Sequence, residues 1–254
     1  MQFVPPVSFE GVSTFFLALG LSVLGGLGGL LVAASVLLIN ESARTRIVPE
    51  LVSYAVGALL GAAMLKILPE AIEQLSPVRL FATLLAGVML FFVLEKLVLW
   101  RHCHTHDCEV HGGSVAGVVV GDAFHNFVDG AVIATAVMTS VPLGITTAIA
   151  VAAHEIPQEL GDFAILLHAG YSRGRALLLN VLSGLSSALG AIVAFVAFDF
   201  VPMMRPYCLA LAAASFLYVA MADLIPGLHR GRTDAASMRQ ILLIGAGIGT
   251  MLVL

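Results

Sequence analysis

Charge is scarce in this 254-residue chain. Asp, Glu, Lys and Arg make up 11% of it, against about 25% in soluble domains, and that deficit excludes an ordinary aqueous globule. A hydrophobic share of 59% and a mean hydropathy of +1.02 exclude a disordered chain. Basic excess is also missing: the net charge is −4, which argues against nucleic acid as a partner. Cys103, Cys108 and Cys208 are too few and too scattered for a disulfide framework. The short alternating segments of a transmembrane barrel are absent too. What remains is continuous apolar runs, the mark of an all-α polytopic membrane protein.

A spanning helix needs roughly 20 mostly apolar residues. Eight such runs are predicted, at about 11–38, 48–68, 78–100, 114–139, 143–168, 175–198, 207–227 and 239–254, the last being the shortest. The N-terminal run is longer than a signal h-region and lacks a basic leader, so it reads as a span. If the N-terminus is outside, the cytosolic segments hold Arg44, Arg46, Lys96, Arg101, Arg173, Arg175, Arg230, Arg232 and Arg239. The external segments then hold only Arg79 and Arg205. This positive-inside bias places both termini outside. The chain reads as one transmembrane domain over 1–254, with a His/Cys-rich cytosolic loop at 101–113. Gly25/Gly29 and Gly57/Gly61 are spaced for close helix approach. Lys66-Ile67-Leu68-Pro69-Glu70 is echoed by Asp223-Leu224-Ile225-Pro226-Gly227 in a span of opposite direction, which points to an inverted repeat around the fourth and fifth spans.

Polar residues interrupt two of these runs. In GDAFHNFVDG, Asp122, His125, Asn126 and Asp129 stand at i, i+3, i+4 and i+7, an arc of roughly 100°. In HEIPQELGD, His154, Glu155, Gln158, Glu159 and Asp162 cover roughly 140°. Five carboxylates facing lipid would cost on the order of 15 kcal/mol, so these residues are read as functional. Imidazole, carboxylate and amide oxygen suit a borderline divalent ion, Zn²⁺ first, with Fe²⁺ and Mn²⁺ as neighbours. His125 and His154 each lie about eleven residues from the end of their spans, near the midplane at about 1.5 Å per residue. The antiparallel arrangement sets Asp129 near His154, and Asp122 with Asp162 in the cytosolic half. Pro157 removes one helix hydrogen bond, either opening backbone oxygen beside these groups or merely kinking the helix. In the loop, His102, Cys103, His104, His106, Cys108 and His111 match no closed zinc signature. Metal capture and a solvated linker both remain open there.

The two motifs resemble those of the ZIP (Zrt/Irt-like protein) family of divalent-metal transporters. HEIPQELGD is similar to that family's fifth-helix pattern HEXPHEXGD. Leu68-Pro69-Glu70-Ala71 in the second span and Phe216-Leu217-Tyr218-Val219-Ala220 before Asp223 in the seventh also match. The resemblance implies uptake of zinc, or of Fe²⁺, Mn²⁺ or Cd²⁺, into the cytosol as substrate, with no organic cofactor. It implies a metal centre of His125, Asn126, Asp129, His154, Glu155 and Gln158, two adjacent metals with bridging carboxylates, and a homodimer. Three positions depart from the family: Gln158 and Lys66 replace histidines, and Gly227 replaces an acidic residue. The path would include Asp122, Glu159 and Asp162, with Asn180, Ser183 and Ser187 either joining it or packing a helix face. The short loops suit a bacterial inner membrane. A rival class is an intramembrane metallohydrolase built on His154-Glu155, but the second histidine of HExxH is missing at Gln158.

Overall fold

A computed structural model describes residues 9–102, 113–228 and 235–254. Among these residues the chain forms eight helical rods and no strand: α1 (Phe9–Leu38), α2 (Glu41–Gln74), α3 (Pro77–His102), α4 (Gly113–Thr139), α5 (Val141–His168), α6 (Arg173–Phe200), α7 (Pro202–Leu228) and α8 (Ala235–Val253). Polar caps start three of them. The Asn40 Oδ1, Ser140 Oγ and Ser172 Oγ atoms accept from the backbone N–H of Ala43, Leu143 and Arg175, satisfying donors that the first helical turn leaves free. Rods α1, α2, α3, α4, α6 and α7 are long and apolar enough to cross a membrane. Two expected spans fall short of that measure. Ser237–Val253 is apolar but shorter, and α5 is diluted by His154, Glu155, Gln158, Glu159 and Asp162, so its polar face is what lowers its hydropathy.

The packing divides the rods into two groups. α1, α4, α5 and α6 pack on one another, above all α4 on α6 and α1 on α5. The second group pairs α2 with α8 and α3 with α7, and α2 meets α5 across the division. Glycine sets the tightest approaches. A side chain at Gly130 would enter the backbone of Ser187, and one at Gly190 would enter that of Phe127, so α4 and α6 touch main chain to main chain. The Gly57 and Gly61 spacing works as expected, closing α2 onto Ile244 and Met251 of α8. Small buried residues fill the core, including Ala55, Ala58, Ala62, Ala63, Ala210 and Ala213. Large apolar side chains point outward instead: Phe16, Leu31, Phe81, Leu85, Leu189 and Leu242 are all exposed. An apolar exterior around a small-residue core is the inside-out balance that a lipid solvent allows.

Two rods carry a widened turn that the hydropathy pattern does not reveal. Ala63–Ile67 in α2 and Val219–Leu224 in α7 are π-helical. In each, the N–H just before a proline reaches back five residues: Leu68 to the Ala63 carbonyl and Ile225 to the Ala220 carbonyl. Pro69 and Pro226 cannot donate, and their rings crowd the carbonyl four residues back, so the turn opens by one residue. The sequence echo thus becomes a matched pair of backbone distortions. α6 is interrupted at Leu185, whereas α5 runs through Pro157 as one helix.

Candidate metal centre

The side chains of α4 and α5 meet where their polar faces oppose. His125 Nε2 lies 3.1 Å from His154 Nε2, and His154 Nε2 lies 3.1 Å from Asp129 Oδ2. His125 Nε2 is 3.6 Å from Asp129 Oδ2, and both imidazoles stand 3.7 Å from Glu155 Oε1. A tetrahedral ion with bonds of about 2.05 Å has ligand–ligand edges of about 3.3 Å. The observed separations bracket that edge, so these four residues can hold a single Zn²⁺-sized cation.

One tautomer is favoured at His154. Its Nδ1 sits 3.1 Å from the Ala150 carbonyl, which can only accept a hydrogen bond, so Nδ1–H donates there and Nε2 keeps its lone pair. That carbonyl went unread in the sequence, although a histidine's partner four residues back is predictable from helical spacing. Phe216 of α7 closes the other side, its ring 5.9 Å from that of His154. Access is uneven. The His125 side chain is 21% exposed, whereas those of Asp129, His154 and Glu155 are 2% or less.

A second cluster shares one member with the first: Asp122, Glu155 and Glu159 also bring carboxylate oxygens together. Asn126 Nδ2 donates to Asp122 Oδ1 at 3.0 Å and Gln158 Nε2 donates to the same oxygen at 3.3 Å. Both amides therefore spend a nitrogen on Asp122, and Asn126 keeps its Oδ1 buried and free. Ser183 and Asn180 of α6 face Asp122 and Glu159, and Asp162 lies near both acids. Ser187 turns away, donating to the backbone of Ser22 and Gly184, which makes it a packing residue. Lys66 is apart from the centre and lines a cleft of about 270 Å³ with Glu70, Glu73 and Thr146. Expectations for His104, His106 and His111 lie outside the described residues, and His102 is the last residue of α3.

Nine buried side-chain polar atoms lack a hydrogen-bond partner among the described residues. Eight of them line this region: Asn126 Oδ1, Asp129 Oδ2, both oxygens of Glu155 and of Glu159, Asn180 Nδ2 and Ser183 Oγ. Leaving such groups unsatisfied costs about 1–3 kcal/mol each. Their concentration in one place marks this region as the candidate site.

Among the described residues, apolar helices of spanning length enclose a buried imidazole–carboxylate cluster whose spacing could hold a metal ion. Comparison with known proteins gives the family. The sequence model of the ZIP zinc transporter family matches residues 101–254, and the chain belongs to that family. It is 32% identical over 222 residues to zinc transporter ZIP13 of Pongo abelii, covering 80% of this chain and 65% of the relative. Zinc transporter ZIP4 of Homo sapiens is 33% identical over 250 residues, covering 71% of this chain and 38% of the relative. Zinc transporter ZIP10 of Homo sapiens is 36% identical over 158 residues, covering 55% and 19%. The chain thus spans less than two thirds of the length of each. All three relatives are named as zinc transporters.

Proposed function

We propose that this protein carries divalent metal ions, zinc foremost, across a membrane into the cytosol through the α4–α5 centre. The observation that carries this reading is the set of eight partnerless buried atoms around imidazole and carboxylate groups at tetrahedral spacing. His125, Asp129, His154 and Glu155 hold the first ion. Asp122, Glu159 and the Asn126 amide oxygen offer a second position, with Glu155 bridging the two, and Gln158 buttresses Asp122. An ion enters past the partly exposed His125, exchanges its water for these ligands and leaves along Asp122, Asn180, Ser183 and Asp162. Relatives named as zinc transporters support zinc over the other cations.

Eight spans with both termini outside, in a single transmembrane domain, complete the reading. The basic residues support that orientation, and short connections suit a bacterial inner membrane. The helix pairing supports an inverted repeat that exchanges α1 with α6, α2 with α7, α3 with α8 and α4 with α5. Under that exchange α1–α5 packing maps onto α6–α4, and α2–α8 onto α7–α3, all of which occur. The two π-helical turns before Pro69 and Pro226 map onto each other as well.

The test is flux of radioactive zinc into proteoliposomes for the wild type, His125→Ala and His154→Ala, with competing Fe²⁺, Mn²⁺ and Cd²⁺. Saturable flux lost in both folded variants supports the centre and ranks the cations. Undiminished flux in both variants overturns it.

A further inference from the structure

We propose that Gly26 and Gly29 of α1 are positioning residues for the metal centre, holding Asn126 and Glu155 at ligand spacing by letting α1 press on them without a side chain between. This rests on the α4–α5 cluster being the metal site. The spacing of Gly25 and Gly29 alone speaks only of packing, and what each glycine touches says more. A Cβ at Gly29 would lie 2.5 Å from the Glu155 Cβ and 3.4 Å from the Ala152 carbonyl oxygen. At Gly26 it would lie 3.0 Å from Asn126 Oδ1 and 3.2 Å from both Ser187 Oγ and the Gly184 carbonyl oxygen. Glu155 and Asn126 are fully buried, and their carboxylate and amide oxygens lack hydrogen-bond partners among the described residues. The Asn126 amide is oriented through its Nδ2, which donates to Asp122, and α1 bears from behind on its Oδ1 and on the Glu155 side chain. Glycine is also the poorest helix former after proline, and its use in mid-helix is explained at these two positions by what lies opposite. Gly20 and Gly28 of the same helix face open space.

Which side would yield to an added methyl is decided by what holds α1. Ser22 Oγ shares its proton between the Ala18 carbonyl at 2.8 Å and the Gly130 carbonyl at 3.3 Å, and Ser187 Oγ shares its own between the Gly184 carbonyl at 2.7 Å and the Ser22 carbonyl at 3.1 Å. These bonds tie α1 to α4 and α6 about one turn from Gly26. A Cβ at Gly25 would meet Ile133 at 3.1 Å, so the neighbouring position is tight as well. With α1 fixed, a methyl at 29 displaces Glu155, whose Cβ must retreat from 2.5 Å to ordinary contact at 3.4 Å or more. Because Glu155 belongs to both clusters, one methyl opens both ion positions. Misplacing a reacting group by about 1 Å costs on the order of a hundredfold.

The experiment compares zinc flux in proteoliposomes for the wild type, Gly29→Ala, Gly28→Ala, Gly26→Ala, Gly26→Ala/Ser187→Ala and His154→Ala, with Cd²⁺ as competitor. Gly29→Ala is expected to raise the zinc KM by at least about tenfold and to shift preference towards the larger Cd²⁺, while Gly28→Ala matches the wild type. Gly26→Ala raises KM severalfold, and adding Ser187→Ala lowers it again, because that change removes one contact at the new Cβ together with the bond to Ser22, so that α1 can back away from Asn126. Simple loss of folded protein lowers maximal flux but moves neither KM nor the zinc-to-cadmium ratio. Wild-type KM and ratio in folded Gly29→Ala overturn the inference. If Gly29→Ala does not fold, the Gly26 pair decides: unchanged KM in Gly26→Ala overturns it, and a raised KM restored in the double variant supports it. His154→Ala separates the two readings. Flux surviving that change overturns the metal centre itself, whereas flux lost there with unchanged glycine variants overturns the positioning role alone.

Discussion

Two regions of the molecule place carboxylates inside apolar rods, and they are built on opposite terms. At the α4–α5 centre, Asp122, Asp129, Glu155 and Glu159 are buried, Asp129 and Glu155 lie beside imidazoles, and five carboxylate oxygens lack a hydrogen-bond partner among the described residues. Between α3 and α7, Glu95 accepts a hydrogen bond from the Tyr218 hydroxyl, Asp223 lies nearby, and both acids are exposed. In the second group Glu95 has a partner within the protein, and both acids face outward. The first is incomplete and faces inward. An acidic residue in a membrane helix therefore does not identify a site. What marks one is buried polar capacity that the protein itself leaves unused and that a bound ion with its water can satisfy.

The comparison breaks most plainly by mutation. His154→Ala or Asp129→Ala should lower zinc flux by at least about a hundredfold, beyond the 10–100-fold typical of outer-shell changes. Glu95→Gln and Asp223→Asn should stay within about twofold of the wild type. A large loss at Glu95 with little loss at His154 would reverse the assignment of the two regions. The next effect sharpens the centre itself. Glu159→Gln removes a member of one cluster, whereas Glu155→Gln removes a member of both. Titration of the purified protein should then give one ion in place of two for Glu159→Gln and a weakened first site for Glu155→Gln. Identical titrations for the two variants would count against a shared carboxylate.

Acid separates the regions in a third way. Each proton taken up by an imidazole or a carboxylate of the centre removes a lone pair from the ion, so zinc affinity falls as pH falls. After correction for metal speciation, uptake should decline on external acidification in the wild type and equally in Glu95→Gln. Faster uptake in acid would sink this part of the mechanism. A gentler change comes from Gln158→His. That imidazole would stand beside Asp122, where the amide now donates, and nitrogen suits zinc better than manganese. Zinc should gain over Mn²⁺ in competition, because imidazole favours zinc whereas carboxylate and carbonyl oxygen suit manganese.

Much of this was legible in the sequence, for identifiable reasons. Helical periodicity placed Asp122, His125, Asn126 and Asp129 on one face, and antiparallel depth placed His154 opposite Asp129, which lies 3.1 Å away. Run length fixed eight rods to within a few residues at most ends. Periodicity gives the face of a helix but not the neighbour it meets, so the Ala150 carbonyl behind His154 and the two glycines behind Asn126 and Glu155 stayed hidden. The π-helical turns were hidden as well. A proline before the end of a span announces a disturbance, and only the backbone shows whether it becomes a kink or a widened turn. Pro69 and Pro226 produce widened turns and Pro157 does not. Asn180, Ser183 and Ser187 share a face, and nothing in their spacing told that Ser187 alone would turn to the backbone.

The smallest predicted effect probes the outward-facing region directly. Tyr218→Phe removes the hydroxyl that donates to Glu95 and leaves the ring 6.4 Å from that of Phe91. The Glu95 carboxylate is exposed and loses a partner that other polar groups can replace, so the cost is that of one ordinary hydrogen bond, about 1 kcal/mol. Thermal unfolding in detergent should fall by a few degrees at most, with zinc KM and the Zn²⁺ to Cd²⁺ ratio unchanged. A shift in KM at constant stability would show that the α3–α7 acids feel the ion after all, and the contrast between a closed polar group and an open one would fail at its weaker end.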